Sequence, residues 1–308
     1  MKAENEYYRE FYLVLITKEG EVIHNTFATS HRDLIDKYII PKGINHDHYF
    51  KAKYSPKEGH RLDDLDNYVL SISEVFIPQW FIGSLAEDVV AKLQDIIKSM
   101  FVTTYKTLLL NEGVILCKSA KIDEVKNSII FGMFDKSSVK FLDSNSEVYQ
   151  MLDESRIEQM LDNTKVVDMW GFAKIDEMHN SSKIVKIFGQ AKVNKMFDNS
   201  RIATLKGDSH VIEMRDQSEA ERLRHDSKVD EMHGNSVIEE MWDWSTVGAM
   251  YDNAQIFYMD DESKVLEMHG QSIVHDMYGN SIVKELHENS LVRKINEMAA
   301  VLRKQLGE

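Results

Sequence analysis

Proline is nearly missing from this sequence. Pro41, Pro56 and Pro78 are its only three, and residues 79–308 contain none. A stretch of that length keeps every backbone N–H available for hydrogen bonding, and it excludes collagen-like and proline-rich disordered readings. Cysteine is scarcer still: Cys117 stands alone, which excludes an intramolecular disulfide framework and a zinc finger and favours a reducing compartment. No run reaches the ~18 consecutive apolar residues of a membrane span, and the charged start lacks an apolar signal core. The expectation is a soluble, cytoplasmic protein with no membrane partner. Positive charge is in deficit, 37 Lys+Arg against 51 Asp+Glu, and the net charge of −14 argues against direct nucleic-acid binding.

Signatures of chemistry are missing too. There is no phosphate-binding glycine loop, no nucleophile elbow and no zinc-protease helix motif. The expectation is a non-enzymatic protein without a cofactor.

What the sequence does hold is a repeat, which has to be sought before individual motifs because it decides the fold. From Ser128 to Asn289 the chain is 18 consecutive nonapeptides without insertion or deletion, of consensus Ser-x-Val-x-x-Met-x-Gly/Asp-Asn/Gln. A degenerate unit begins at Ala120 and a partial one at Ser290. Position 6 is Met, Leu or Ile throughout and holds 13 of the 16 methionines. Position 8 is Gly or Asp in 14 of the 18 units.

A period of nine is too short for a helix–turn–helix repeat and fits one side of a β-solenoid coil. Positions 1 and 3 share a face of an extended segment, and flexible Met at position 6 suits the irregular space where the strand bends. Positions 8 and 9 carry residues that tolerate a left-handed turn. Position 9 of alternate units reads Asn145, Asn163, Ser181, Asn199, Gln217, Asn235, Asn253, Gln271 and Asn289, nearly all amides, whereas the intervening units are unrestricted. The coil period is therefore 18, two nonapeptides per turn. About nine coils at ~4.8 Å give an array of ~43 Å, with the amides as an Asn/Gln ladder.

The fold class is thus mainly β: a parallel β-solenoid over 119–295, an α+β domain over 1–118, and a C-terminal capping helix within 296–308. In the front domain, a hairpin is expected between Tyr7–Thr17 and Glu21–Phe27. Helices are expected at His31–Ile39 and Ser84–Phe101, and strands at Tyr49–Tyr54 and Tyr68–Ile72. The final helix, Asn296–Gln305, would fold back on the apolar outer residues Ile273, Ile282 and Leu291 or receive a second copy there, making a homo-oligomer through that end.

Candidate site residues fall in two groups. Asn45-His46-Asp47-His48, with His60 downstream, offers metal-ligand donors, against which stands the plain reading of a polar loop. Along the array His233, Tyr251, His269 and His287 occupy successive rungs of one corner, and the aromatics Trp170, Trp242 and Trp244 interrupt charged rows. Position 2 is basic at Arg156, Lys174, Lys192, Lys228 and Lys264, and position 5 is acidic at Glu177, Glu213, Glu231, Glu267 and Glu285. Such rows keep a repeat surface hydrated and register its coils. Aromatic residues are typical interface anchors, so these seven side chains are the expected contact with a protein partner.

Runs such as Asn235-Ser236-Val237-Ile238-Glu239-Glu240-Met241-Trp242 and Gly279-Asn280-Ser281-Ile282-Val283 resemble the tandem NS-x-V-x-x-M units of uncharacterised proteins encoded by bacteriophages and prophages, several of gut bacteria. Asp66 to Phe81 is similar to their front domain. The resemblance implies a phage-encoded β-solenoid and carries no activity or catalytic residue. The Ser-x-Val element also resembles the core of pentapeptide-repeat proteins, some of which mimic DNA, although the period here is nine. Duplex DNA would carry about 25 charges over ~43 Å, whereas residues 128–295 hold 30 Asp+Glu and 19 Lys+Arg. The leading expectation is a scaffold presenting a rigid surface to a protein partner; the alternatives are an acidic DNA-mimic inhibitor and a virion component.

Overall fold

A computed structural model describes residues 12–72, 77–113, 115–296 and 298–304. The chain divides into two compact units, Met1–Val102 with Gly113–Leu116 and Thr103–Glu112 with Cys117–Glu308.

The first unit is α+β. Its hairpin joins Leu13–Thr17 to Val22–His24, and Leu13–Thr17 also pairs antiparallel with Tyr49–Pro56, which pairs with Tyr68–Ile72. The expected start of the hairpin at Tyr7 lies outside the described residues. Helix α1, His31–Leu34, opens on a capping box: the Ser30 hydroxyl accepts the Asp33 N–H at 3.2 Å, and the Asp33 carboxylate accepts the Ser30 N–H at 2.8 Å. It does not run on to Ile39 as one α-helix. The backbone widens to a π-turn over Ile35–Ile39 and tightens to a 3-10 turn over Ile40–Lys42. Pro41 has no N–H to extend an α-helical ladder, and the first turn of a new helix is where that loss is harmless. Helix α2, Ser84–Ser99, buries Val89, Leu93 and Ile97, spaced by one turn on one face.

The second unit is a parallel β-solenoid with about 18 residues per coil. Its first sheet has twelve strands, from Lys106–Leu110 and Lys121–Lys126 to Ala300–Lys304. The second sheet runs from Ile129–Phe134 to Leu291–Ile295 within this unit, and neighbouring strands in it pair parallel, as Lys165 does opposite Lys183. The array makes about eleven turns rather than nine. The extra length comes from segments that lack the consensus yet continue the ladder, because an open strand edge offers hydrogen bonds to any chain that keeps the register.

The core is built from three columns. Positions 1, 3 and 6 point inward, as Ser200, Ile202 and Leu205 do with no exposed surface. Positions 3 and 6 differ by an odd number, so simple alternation would put them on opposite faces. The chain solves this by bending: bridge pairs run Arg156 to Lys174, Ile157 to Ile175, Gln159 to Glu177 and Met160 to Met178, skipping position 4. Positions 4 and 5 then both face outward, and unbranched Met fills the bend.

The turns explain the rest of the consensus. All position-8 residues of the 18 units are left-handed, with φ between +52° and +73°. The coil-to-coil ladder takes the N–H of position 2 (Arg156 to the Ser137 carbonyl, 2.9 Å), of position 7 (His179 to Met160, 2.9 Å) and of position 9 (Asn199 to Asn180, 3.0 Å). In several coils the position-8 N–H is taken instead by an acidic position-8 side chain of the next coil: Gly234 donates to Asp252 Oδ2 at 2.9 Å, His225 to Asp243 at 3.0 Å and Asn180 to Asp198 at 2.8 Å. Asp is therefore frequent at a place where glycine is conformationally easiest, because it satisfies a donor the ladder leaves over.

Two expectations are corrected. The amides of position 9 stack at the coil period but stand exposed, and among the described residues no side-chain hydrogen bond joins one to the next. They sit beyond the left-handed residue, where the backbone ladder already carries the coil-to-coil bond. The C-terminal helix expected over Asn296–Gln305 is, within the described residues, the strand Ala300–Lys304. Ala299 and Val301 keep positions 1 and 3 of the repeat, and the Ala300 N–H bonds the Ser281 carbonyl at 3.1 Å. The neighbouring edge outweighs the helical spacing of Met298, Val301 and Leu302.

Candidate interaction surface

The rows of charge do not pair as their column numbers suggest. Three of the five basic residues of position 2 reach acids at position 4: Arg156 Nε donates to Asp176 at 2.7 Å, Lys174 lies 3.0 Å from the same carboxylate, and Lys228 lies 2.5 Å from Asp230. The acids of position 5 reach the histidines two residues on: Glu177 to His179 at 3.1 Å, Glu231 to His233 at 3.1 Å, Glu267 to His269 at 3.2 Å and Glu285 to His287 at 3.2 Å. Hydrogen bonds from His179 and then Gln159 hold the Glu177 carboxyl below its usual range. Surface pairs of this kind contribute at most about 1 kcal/mol each, so they register coils more than they stabilise them.

The predicted contact residues fall at two corners. At the end of the first sheet, His233, Tyr251, His269 and His287 form one continuous stack with ring centroids 4.7, 5.1 and 4.5 Å apart and planes within 12°. That spacing is the strand-to-strand distance itself, so any flat ring at position 7 stacks on its neighbour. His179 and Phe197 extend the same corner, 4.9 Å apart, and Arg215 separates them from the others. Burial, and then Glu231 and Glu267, push the Tyr251 phenol up.

Trp170, Trp242 and Trp244 lie at the end of the second sheet. Trp170 stacks on Phe188 at 4.0 Å, and Trp244 is 57% exposed. Trp242 donates its indole N–H to Glu240 at 3.0 Å, with Arg224 over the ring at 5.9 Å and Tyr258 at 5.1 Å. From there the aromatics continue onto the outer face of the second sheet. Tyr258 meets Tyr278 at 5.1 Å, Phe257 meets His275 at 4.5 Å, and Lys294 covers Tyr278 at 5.5 Å. Phe257, Tyr258 and His275 are not among the contacts expected from the sequence, whereas Tyr278 falls with Trp170, Phe188 and Trp242 in the series of position-7 aromatics. The signal for the first three was present: once two nonapeptides make a coil, positions 239, 257, 275 and 293 share one outward column and positions 240, 258, 276 and 294 the next.

That column changes character along the array. Phe131, Tyr149, Val167, Val185 and Ala203 are buried although they point outward, and Phe131 stacks on Tyr149 at 4.9 Å. Further along the same column, Phe257 is 44% exposed and Glu239 and Arg293 are exposed.

The metal candidates do not converge. His46 and His48 occupy a 3-10 turn in which His46 packs on Tyr49, and His60 Nδ1 donates to the Asp64 carboxylate at 2.9 Å. Among the described residues, the donor atoms of His46, His48 and His60 do not gather within 4.8 Å of one another. Glu213, Glu231 and His233 do gather within that distance. Burial alone would raise the Glu213 carboxyl, but a hydrogen bond from Arg215, with Lys195 at 3.5 Å, holds it below its usual range. Two cations already serve that carboxylate, and the group reads as an ion-pair network.

Fold and surface together define a β-solenoid repeat protein with aromatic corners. Compared with family models, curated proteins and solved structures, the chain matches none. Among the described residues, no helix is long and apolar enough to cross a membrane.

Proposed function

We propose that this is a non-enzymatic interaction protein, phage-encoded and working in the host cytoplasm, whose solenoid presents a rigid surface to a protein partner. The observation that carries the reading is the run of aromatics on one sheet, Trp244 and Phe257 exposed with half-buried Trp242 and Tyr258 beside them. Trp242, Tyr258 and Phe257 are already held by ring contacts and lose little entropy on binding, which suits them as anchors. The partly paired charge rows support this reading over an acidic DNA mimic, because Arg156, Lys174 and Lys228 offset acids a mimic would display. The test is affinity capture with the immobilised protein, wild type against the double variant Trp244→Ala, Phe257→Ala. A bound protein lost in the variant supports the reading. Equal capture by both, or turnover of a small molecule by the purified chain, refutes it.

A further inference from the structure

The outer face of the second sheet is polarised along the last coils. At the strand Val237–Met241 it carries Glu239 and Glu240, next to Glu219 and Glu221 on the preceding rung. At Leu291–Ile295 it carries Arg293 and Lys294. The rungs between hold Gln255, Phe257, Tyr258, Ile273, His275 and one acid, Asp276, which in the same chain is the bridge partner of Tyr258 and Lys294. Arg201 pairs with Glu219 at 2.6 Å, but among the described residues Glu239 and Glu240 have no cation within ion-pair distance. Burial, and then the crowding of Glu219 and Glu221, raise the Glu239 carboxyl. Among the described residues, Arg293 and Lys294 have no carboxylate within ion-pair distance; Arg293 lies 3.4 Å from His275 and Lys294 3.3 Å from the Tyr278 hydroxyl.

We propose that this face binds a second copy of the chain, the two solenoids antiparallel about a two-fold axis that runs along the strand direction between Gln255–Met259 and Ile273–Met277. The proposal rests on the reading that the solenoid acts through its outer surface, and it names the partner. Such an axis reverses the order of rungs and keeps the position within each strand. The rung of Val237 therefore meets the rung of Leu291, and the rung of Gln255 meets that of Ile273. At position 4, Glu239 faces Arg293; at position 5, Glu240 faces Lys294. At position 2, Val237 faces Leu291, and in the centre Phe257 faces His275. At the corner, Trp244 faces Met298, which is 79% exposed; a thioether on an aromatic ring is a favourable contact. Each pair occurs twice, as an isologous interface requires.

An axis along the solenoid instead would set Glu239 against Glu239 and Arg293 against Arg293. The charge pattern selects the antiparallel arrangement. Four rungs by one strand and its corner cover a footprint of roughly 450 Å² per copy at ~4.8 Å per rung, the small end of specific interfaces, so the dimer should be micromolar and salt-sensitive.

Sedimentation equilibrium of the full chain, from about 1 to about 300 μM, tests this. The wild type should pass from monomer to dimer, with a Kd raised at least ~10-fold by about 0.5 M salt. Glu239→Arg with Glu240→Arg should weaken the dimer by a similar factor, as should Arg293→Glu with Lys294→Glu. The chain carrying all four substitutions should regain it, because the charges are exchanged in both copies. These side chains point outward, and an unchanged circular dichroism spectrum checks folding. A wild type that stays monomeric overturns the proposal, as does a dimer indifferent to the charge reversals or a fourfold variant that is not rescued. The failures are separable. A monomeric chain whose captured partner still depends on Trp244 and Phe257 loses the dimer and keeps the interaction reading; loss of both results removes both.

Discussion

The left-handed turn residue offers a sharp test of how the solenoid is held together. Asp252 sits at φ +55° and accepts the Gly234 N–H at 2.9 Å from the coil before it. Two effects oppose each other there. A left-handed conformation costs a residue with a Cβ roughly 1–2 kcal/mol, least for Asp and Asn, and glycine almost nothing. The hydrogen bond, partly exposed, contributes about 0.5–1.5 kcal/mol. Asp252→Ala keeps the strain and loses the bond, so it should destabilise by about 1–2 kcal/mol. Asp252→Gly loses the bond and releases the strain, so its net effect should fall within about 0.5 kcal/mol of zero. Asp252→Asn keeps an acceptor oxygen and should resemble the wild type. The assay is urea unfolding followed by circular dichroism, together with hydrogen exchange of the peptide containing Gly234, whose amide should exchange faster in both the Ala and Gly variants. If Asp252→Gly is destabilised as much as Asp252→Ala, or if neither changes exchange at Gly234, the account of position 8 is wrong. A counterpart exists at Gly270, φ +66°, where an added Cβ would lie 2.9 Å from the Asp252 backbone N. Gly270→Ala combines strain with a backbone clash and should cost more than Asp252→Ala in the same assay.

Three further outcomes are expected. Met178 is fully buried, and Met178→Ala should cost about 2–5 kcal/mol through lost contacts and a residual cavity, measured as a lower urea midpoint; wild-type stability would refute a packed methionine column. Burial pushes the Cys117 thiol up to about 12, so a thiol reagent at neutral pH should label it only in denaturant, and rapid labelling of the native protein would contradict its place in the core. The Glu177 carboxyl is lowered in the folded state, so the protein binds that proton less readily than the unfolded chain does. Its contribution is complete above the ordinary glutamate range and is lost as pH falls through and below it. Glu177→Gln should therefore be less stable than wild type at neutral pH, with the gap closing in acid, and a gap independent of pH would refute the linkage.

The reach of the sequence differs between the parts of this protein. The period of two nonapeptides follows from the amide series, because stacked residues recur at the coil length whatever their role. The same signal did not reveal what those amides do: it marks a shared corner and is silent on hydrogen-bond geometry. The hairpin turn and the starts of α1 at His31 and α2 at Ser84 were legible because each depends on residues close in the chain. The last helix was misread for the complementary reason. Its apolar spacing suits a helix in isolation, and only the open edge of Ile282–Leu286 makes a strand the better choice.

The scarcity of proline and the column of thirteen methionines were fixed by local demands and could be read directly: an unbroken ladder needs every N–H, and every bend needs a flexible apolar filler. Which outward residues meet was decided by the tertiary structure. The bend at position 4 turns two successive side chains outward, and the coil brings Glu239, Phe257, His275 and Arg293 into one column although two whole nonapeptides separate each from the next.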